Sequence, residues 1–446
     1  MFPAAAVDRV LQNDLSRPHQ LPPLTARPGH PPRSRPVRHP RGLYVLSLAE
    51  AGERFGFYLM VALFTLYLNE RHGFSQERAG VWYGNYLAAC YAVPFLGGWL
   101  AGRFVARRVW VQGAALILAA GYYLLALERL ELLPVALVVL GIGNGFFKPN
   151  ISTQVGELYS PGDARRDEAF GLFYLAINVG ALCGPFVGEL LRGRFGFGAA
   201  FGAAAVALIG SALVLSLGRC YLPTGQPKEL LEKGLAPVRH RVAALLLIGA
   251  LLVPFWMGYQ QFGSSLTFYA RDGVDRGIMI GGVHRDIPPG WFAASNAFFV
   301  LALTAPLAWL VRRLTSADKI VGGLAISAMA FGGLSLAAYL CGPAKLSPSV
   351  LIGYYLVITM SELLLSPVGF SLVSKLSPPR WVGVLFGVWF VSTALGNWLA
   401  GQIGKLWAAW SHAHFFGLLG ALLLGSALLL ATQLGWLRRT MPRNEV

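Results

Sequence analysis

Residues 49–64 read AEAGERFGFYLMVALF. Glu50, Glu53, Arg54, Phe57 and Tyr58 fall at i, i+3, i+4, i+7 and i+8, which is one stripe of an α-helix. The opposite face is built from Leu, Val, Ala and Met. The segment therefore predicts a helix with a polar seam, inside an apolar run that starts near Leu43. In lipid, each of the three charges would cost roughly 2.5–3.5 kcal/mol at the helix centre. Such charges persist when they face a bundle interior or a wet cavity, where they mark the path of a solute or a proton. A plainer reading pairs Glu50 with Arg54 at i,i+4, but it leaves Glu53 uncompensated.

The rest of the chain agrees with a membrane setting. Of 446 residues, 55% are apolar and only 13% charged, against about 25% charged in an average soluble domain. Cys90, Cys183, Cys220 and Cys341 show no metal-ligand spacing and are expected to be free, packed thiols. The eight histidines form no cluster with acids, and no zinc or haem site is visible. A net charge of +16 could point to nucleic acid, but its distribution points elsewhere.

Residues 1–42 are Pro/Arg-rich and hold no 15-residue apolar run, so they read as a disordered cytoplasmic tail rather than a signal peptide. Twelve segments long enough to span follow: 43–69, 80–101, 109–127, 132–158, 168–191, 197–218, 242–270, 291–311, 319–341, 349–374, 382–404 and 414–436. With the N-terminus inside, both tails and the loops on that side hold 25 of the 37 Lys and Arg residues, and the other side holds 10. This positive-inside bias sets the orientation and accounts for +16 without nucleic acid.

The longest connection on the inner side, 219–241, divides the spans into six and six. The expected units are a tail (1–42), a six-helix bundle (43–218), a cytoplasmic linker (219–241), a second six-helix bundle (242–436) and a short cytoplasmic tail (437–446). This all-α membrane architecture is the layout of the major-facilitator fold, whose halves rock around a midplane site.

Other polar groups fall inside the spans. Lys148 precedes Pro149 in GIGNGFFKPNIS, and a lysine at that depth needs a partner, a cavity or a route to the interface. Tyr174 and Asn178 are four apart in the fifth span, as are Trp256 and Gln260 in the seventh, with Tyr259 and Gln261 beside them. Asn296 lies early in the eighth span. Glu362 is the one acid of the second half placed at membrane depth, and Pro367 after it predicts a bent or broken helix. A lone buried carboxylate titrates and can carry a proton. Trp389, Thr393 and Asn397 follow at i, i+4 and i+8 in the eleventh span. Arg54 and Lys148 in one half and Glu362 in the other match a substrate that bears both a carboxylate and an ammonium group.

Several blocks resemble the proton-coupled oligopeptide transporter family. Glu50-Ala-Gly-Glu53-Arg54-Phe55-Gly-Phe57-Tyr58 is similar to its ExxERFxYY signature, and Phe173 to Gly180 to its FYxxINxG block. FFKPNI, WFxxxN, SExxLSPxGxSxVxKLSP and WFxxxxxGNxLAG also have counterparts, so the resemblance runs from about Tyr44 to Gly401. It implies proton-coupling roles for Glu50, Glu53, Arg54, Lys148 and Glu362, with Lys148 paired to Glu362. It implies a peptide pocket lined by Arg54, Tyr58, Tyr91, Lys148, Asn178, Asn296 and Glu362. Trp256, Gln260, Trp389 and Thr393 complete the expected lining. The chain departs from the family pattern in four places. Phe57 replaces the first tyrosine of YY, Val61 and Gln260 replace both partners of an outer-gate ion pair, and the GGxxADR loop ends Gly102-Arg103 with no Asp. Joint loss of an ion pair strands no buried charge.

The expected function is proton-coupled import of di- or tripeptides by a monomer in the inner membrane, with cytoplasmic termini. Protons are the coupling ion and no cofactor is expected. The alternative substrate is nitrate or another small solute. A membrane receptor or enzyme is the reading from another class, and no Ser/His/Asp set, HExxH or GxSxG supports it.

Overall fold

The computed structural model describes residues 38–100, 106–160, 163, 165–223, 238–376 and 382–440. The expected tail up to residue 37, the Gly102-Arg103 loop, residues 224–237 of the linker, Arg380 and residues 441–446 lie outside the described residues.

Twelve helices of 20 to 31 residues carry the described chain. They are α1 Arg41–Leu66, α2 Gln76–Leu100, α3 Arg107–Ala126, α4 Leu133–Glu157, α5 Arg165–Phe195, α6 Phe197–Leu217 and α7 Val238–Tyr259. After a short α8, Ser265–Asp272, come α9 Pro289–Leu310, α10 Ser316–Cys341, α11 Pro348–Leu376, α12 Val382–Ile403 and α13 His412–Thr432, with a short α14, Leu434–Thr440. Nine segments among the described residues are long and apolar enough to cross a membrane. Helix α1 is not among them, in keeping with the three charges near its middle.

Each apolar run of the sequence became a helix, and the differences are local. The seventh span is broken: α7 ends at Tyr259, a 3-10 turn runs Gln260–Gly263, and Ser264 leaves helical geometry before α8. The polar run there satisfies its own freed backbone groups. Ser264 and Ser265 donate to the Gln261 side chain at 3.2 and 2.8 Å, and Thr267 donates to Phe262 O at 2.8 Å. The helix around Pro367, expected to bend or break, is not broken, and α11 runs through it. A two-stranded antiparallel hairpin, β1 Gly277–Ile280 and β2 Val283–Asp286, was not expected and joins α8 to α9. The cysteines are free, but Cys183 and Cys220 are exposed rather than packed.

In the first half α1 packs on α5 and α6, α3 on α4 and α6, and α2 on α4. In the second, α10 packs on α11 and α13, α7 on α12 and α13, and α9 on α11. The seam is made by α2 against α12 and α5 against α9. Helix α1 is held at close range. A Cβ at Gly180 or Gly184 of α5 would run into the α1 backbone at Ala51 O or Phe55 O. From the other side, Ser211 of α6 donates to Ala49 O at 2.9 Å. Small residues thus fix the depth and rotation of the helix that bears Glu50, Glu53 and Arg54.

Candidate functional site

The polar seam of α1 is buried. Glu50, Glu53 and Arg54 are 3%, 1% and 4% exposed. Arg54 pairs with Glu50 at 3.2 Å and also with Glu53. The guanidinium lies 4.8 Å from the centroid of the Phe57 ring, which packs edge-on against Tyr58. One cation therefore serves two carboxylates and an aromatic face, and Glu50 is not its sole partner. Glu50 Oε2 has no hydrogen-bond donor among the described residues.

The acid of the second half is held differently. Asn296 of α9 donates from Nδ2 to Glu362 Oε2 at 2.8 Å and to Thr359 Oγ1 at 3.0 Å. Thr359 donates to Tyr355 O at 2.6 Å, and Tyr259 of α7 donates to Asn296 Oδ1 at 3.3 Å. No ion pair reaches Glu362 among the described residues. The expected pairing with Lys148 is absent here, because Lys148 Nζ lies 4.2 Å from the centroid of the Tyr91 ring instead. A cation over a ring face is worth roughly 0.5–2 kcal/mol, enough to park the side chain but not to fix it.

Tyr58 stands between the two halves, within electrostatic reach of Arg54 and Tyr91 on one side and Glu362 on the other. Tyr174 of α5 also lies within reach of Glu362. Arg54, Tyr58, Tyr91, Lys148 and Glu362 therefore belong to one central region. Other expected lining residues are committed elsewhere. Asn178 donates to its own helix at Tyr174 O, 2.8 Å away. Trp389 is buried with its ring against Gly369 of α11. Thr393 donates back to Trp389 O at 3.4 Å. Trp256 packs edge-on against Phe255 and Tyr259.

Where the halves meet at the end shared by the close of α1 and the start of α2, cross-links are dense. Val61 is buried, and Gln260 accepts from Tyr83 of α2 at 3.4 Å, so a neutral pair stands where the family pattern has charges. Thr65 donates to Gly263 O at 2.9 Å, and Gly84 and Gly401 meet backbone to backbone. Beyond them runs a charged chain that the sequence reading missed. Glu189 of α5 caps α9 by accepting from Gly290 N at 2.7 Å and pairs with Arg192 at 2.6 Å. Arg192 reaches Glu70 at 2.7 Å, and Arg271 of α8 donates to Asn69 at 2.7 Å. Gln76 donates to Asp272 at 2.9 Å and accepts from Trp407 Nε1 at 2.8 Å. Glu189, 3% exposed near the end of α5, was the one readable signal, an acid inside an apolar span.

Comparison with known proteins places this geometry in context. The model of the Major Facilitator Superfamily matches residues 46–401. The chain is 28% identical over 451 residues to peptide transporter YePEPT of Yersinia enterocolitica, covering 82% of this chain and 88% of that one. It is 27% identical to dipeptide and tripeptide permease A of Chromobacterium violaceum, covering 84% and 86%. Among solved structures it resembles a peptide transporter POT in complex with sulfate, with TM-score 0.83, 26% identity, and 90% and 96% coverage. A variant of a peptide transporter POT in complex with alafosfalin matches with TM-score 0.82 at 27% identity, over 90% of this chain and 96% of that one.

Proposed function

Because this chain belongs to the Major Facilitator Superfamily, in its peptide-transporter branch, we propose that it is a proton-coupled symporter importing di- and tripeptides by alternating access. It is a multi-pass membrane transporter and not an enzyme. The reading places it in the inner membrane with both termini cytoplasmic, acting as a monomer with the proton as coupling ion and no bound cofactor. In that orientation the densely cross-linked end faces outward, and the structure represents the state closed to the outside.

One observation carries the reading: ionisable groups from both halves line one central region, with cations in one half and an uncompensated acid in the other. Lys148, and Arg54 where its pairs loosen, suit a substrate carboxylate. Glu362 suits the ammonium end. A coupling of a few kcal/mol between protonation and conformation is enough to shift the populations of the two states.

The experiment is uptake of a labelled dipeptide into proteoliposomes under an inward proton gradient. The proposal expects accumulation that collapses with an uncoupler and is competed by unlabelled dipeptides. Labelled nitrate, taken up under the same gradient and insensitive to dipeptides, would replace the proposal with the small-anion alternative.

A further inference from the structure

We infer that Thr359 is a positioning residue for Glu362, acting through Asn296, whose amide it fixes in the orientation that presents an N–H to the carboxylate, while Tyr259 binds both the amide and Glu362 itself. The inference rests on the symport reading above but is carried by the hydrogen-bond geometry alone.

An asparagine amide can be turned by 180° at little steric cost, which exchanges a donor for an acceptor. What faces Glu362 therefore depends on what else binds that amide. Thr359 has a single hydroxyl proton, and it is spent on Tyr355 O at 2.6 Å. Its oxygen can then only accept from Asn296, at 3.0 Å, which requires Nδ2 on that side. The other end, Oδ1, is left to take the hydroxyl of Tyr259 at 3.3 Å. With both ends spoken for, the second Nδ2 proton points to Glu362 Oε2 at 2.8 Å. Turning the amide would set Oδ1 against both the carboxylate and the Thr359 oxygen.

Water does not substitute for these side chains. Asn296 is 4% exposed and Thr359 fully buried. The recess lined by Tyr259, Phe262, Asn296, Tyr354, Tyr355 and Ile358 has no room for a water molecule. The titratable groups within reach of Glu362 are Tyr259 from α7, Tyr58 from α1 and Tyr174 from α5. Helix α9 faces it with Asn296, and no cation pairs with it among the described residues. The Asn296 amide and the Tyr259 hydroxyl are thus the hydrogen-bonding groups that reach Glu362.

Position adds a consequence. Tyr259 is the last residue of α7, and the next residue, Gln260, receives Tyr83 across the seam. Movement of this break when the outer end opens would shift the Tyr259 hydroxyl and the Gln260 contact together, linking the proton affinity of Glu362 to the outer closure.

The test is the pH profile of dipeptide uptake in proteoliposomes for Thr359→Val, Thr359→Ser and Tyr259→Phe, with the infrared carboxylic-acid band of Glu362, assigned by its loss in Glu362→Gln, as a readout independent of transport. Thr359→Val frees the amide to turn, so the pH midpoint of uptake and of the acid band should rise by about one unit. Tyr259→Phe should raise both by less, and Thr359→Ser should restore the wild-type values. Unmoved midpoints in Thr359→Val and Tyr259→Phe, with only the maximal rate reduced, would overturn the inference. Should Thr359→Val not fold, Thr359→Ala decides by the same criterion. If the wild type takes up no dipeptide, the symport reading fails, while the infrared midpoints still judge this one.

Discussion

The two buried acidic sites differ in what compensates them. In α1, Glu50 and Glu53 share the Arg54 guanidinium, and the trio is at most 4% exposed. In α11, Glu362 is met by neutral groups, with Asn296 as donor and Lys148 parked over Tyr91. Removing Arg54 from the first site strands two carboxylates in low dielectric, whereas a proton added to either of them leaves a balanced pair. Both sites therefore hold a carboxylate able to take a proton, the first beside a cation and the second beside neutral groups. Glu50 Oε2 has no donor among the described residues.

The comparison breaks most readily at Arg54. Arg54→Ala leaves two carboxylates buried without their cation, and loss of one partner of a buried pair costs about 3–5 kcal/mol. We expect low thermal stability in detergent and no uptake, with partial recovery of stability in the triple variant Glu50→Gln, Glu53→Gln, Arg54→Ala. A stable, active Arg54→Ala would remove the distinction between the two sites.

Lys148→Gln should act on the substrate rather than on the fold. Its amine carries no ion pair among the described residues, so melting should change little. The apparent KM for a dipeptide should rise about tenfold, the scale of one charge-assisted hydrogen bond. A substrate analogue with an amidated C-terminus should distinguish wild type from variant much less.

Arg271→Ala sharpens a third contrast, between the central region and the outer end. Arg271 ties α8 to Asn69, so its loss should loosen that end without touching the site. Disulfide formation between Gln76→Cys and Asp272→Cys should slow several-fold in this background, with a smaller drop in uptake. Phe57→Tyr should have the smallest effect. The ring already lies under Arg54, and an added hydroxyl should change KM less than about threefold, measured across a dipeptide panel.

What could be read from sequence was what hydropathy and helical spacing encode. The helices start and stop within a few residues of the apolar runs, and the polar seam of α1 faces inward as its i, i+3, i+4 spacing required. The break at residues 260–264 was hidden because its polar residues satisfy one another locally, so a run inside a span looked like lining rather than a stop. Pro367 does not end its helix, since a helix can pass through a proline when tertiary packing holds it. The charged chain at the end of α1 was hard to read, since Glu70, Arg192 and Arg271 are distant in sequence and each alone resembles a loop charge. The Lys148–Glu362 pair, implied by family resemblance, is not made in this structure because each side chain has another partner. Thr359 gave no sequence signal, and Tyr259 showed only as a neighbour of Gln260, as their importance lies in which end of an amide they hold.

The account's central claim is that Glu362 changes charge with each transport cycle. Its most direct test separates proton-driven accumulation from exchange of dipeptide across the membrane without a gradient, in Glu362→Gln proteoliposomes. The account predicts that accumulation is lost while counterflow exchange persists. Accumulation at the wild-type level in that variant would contradict it.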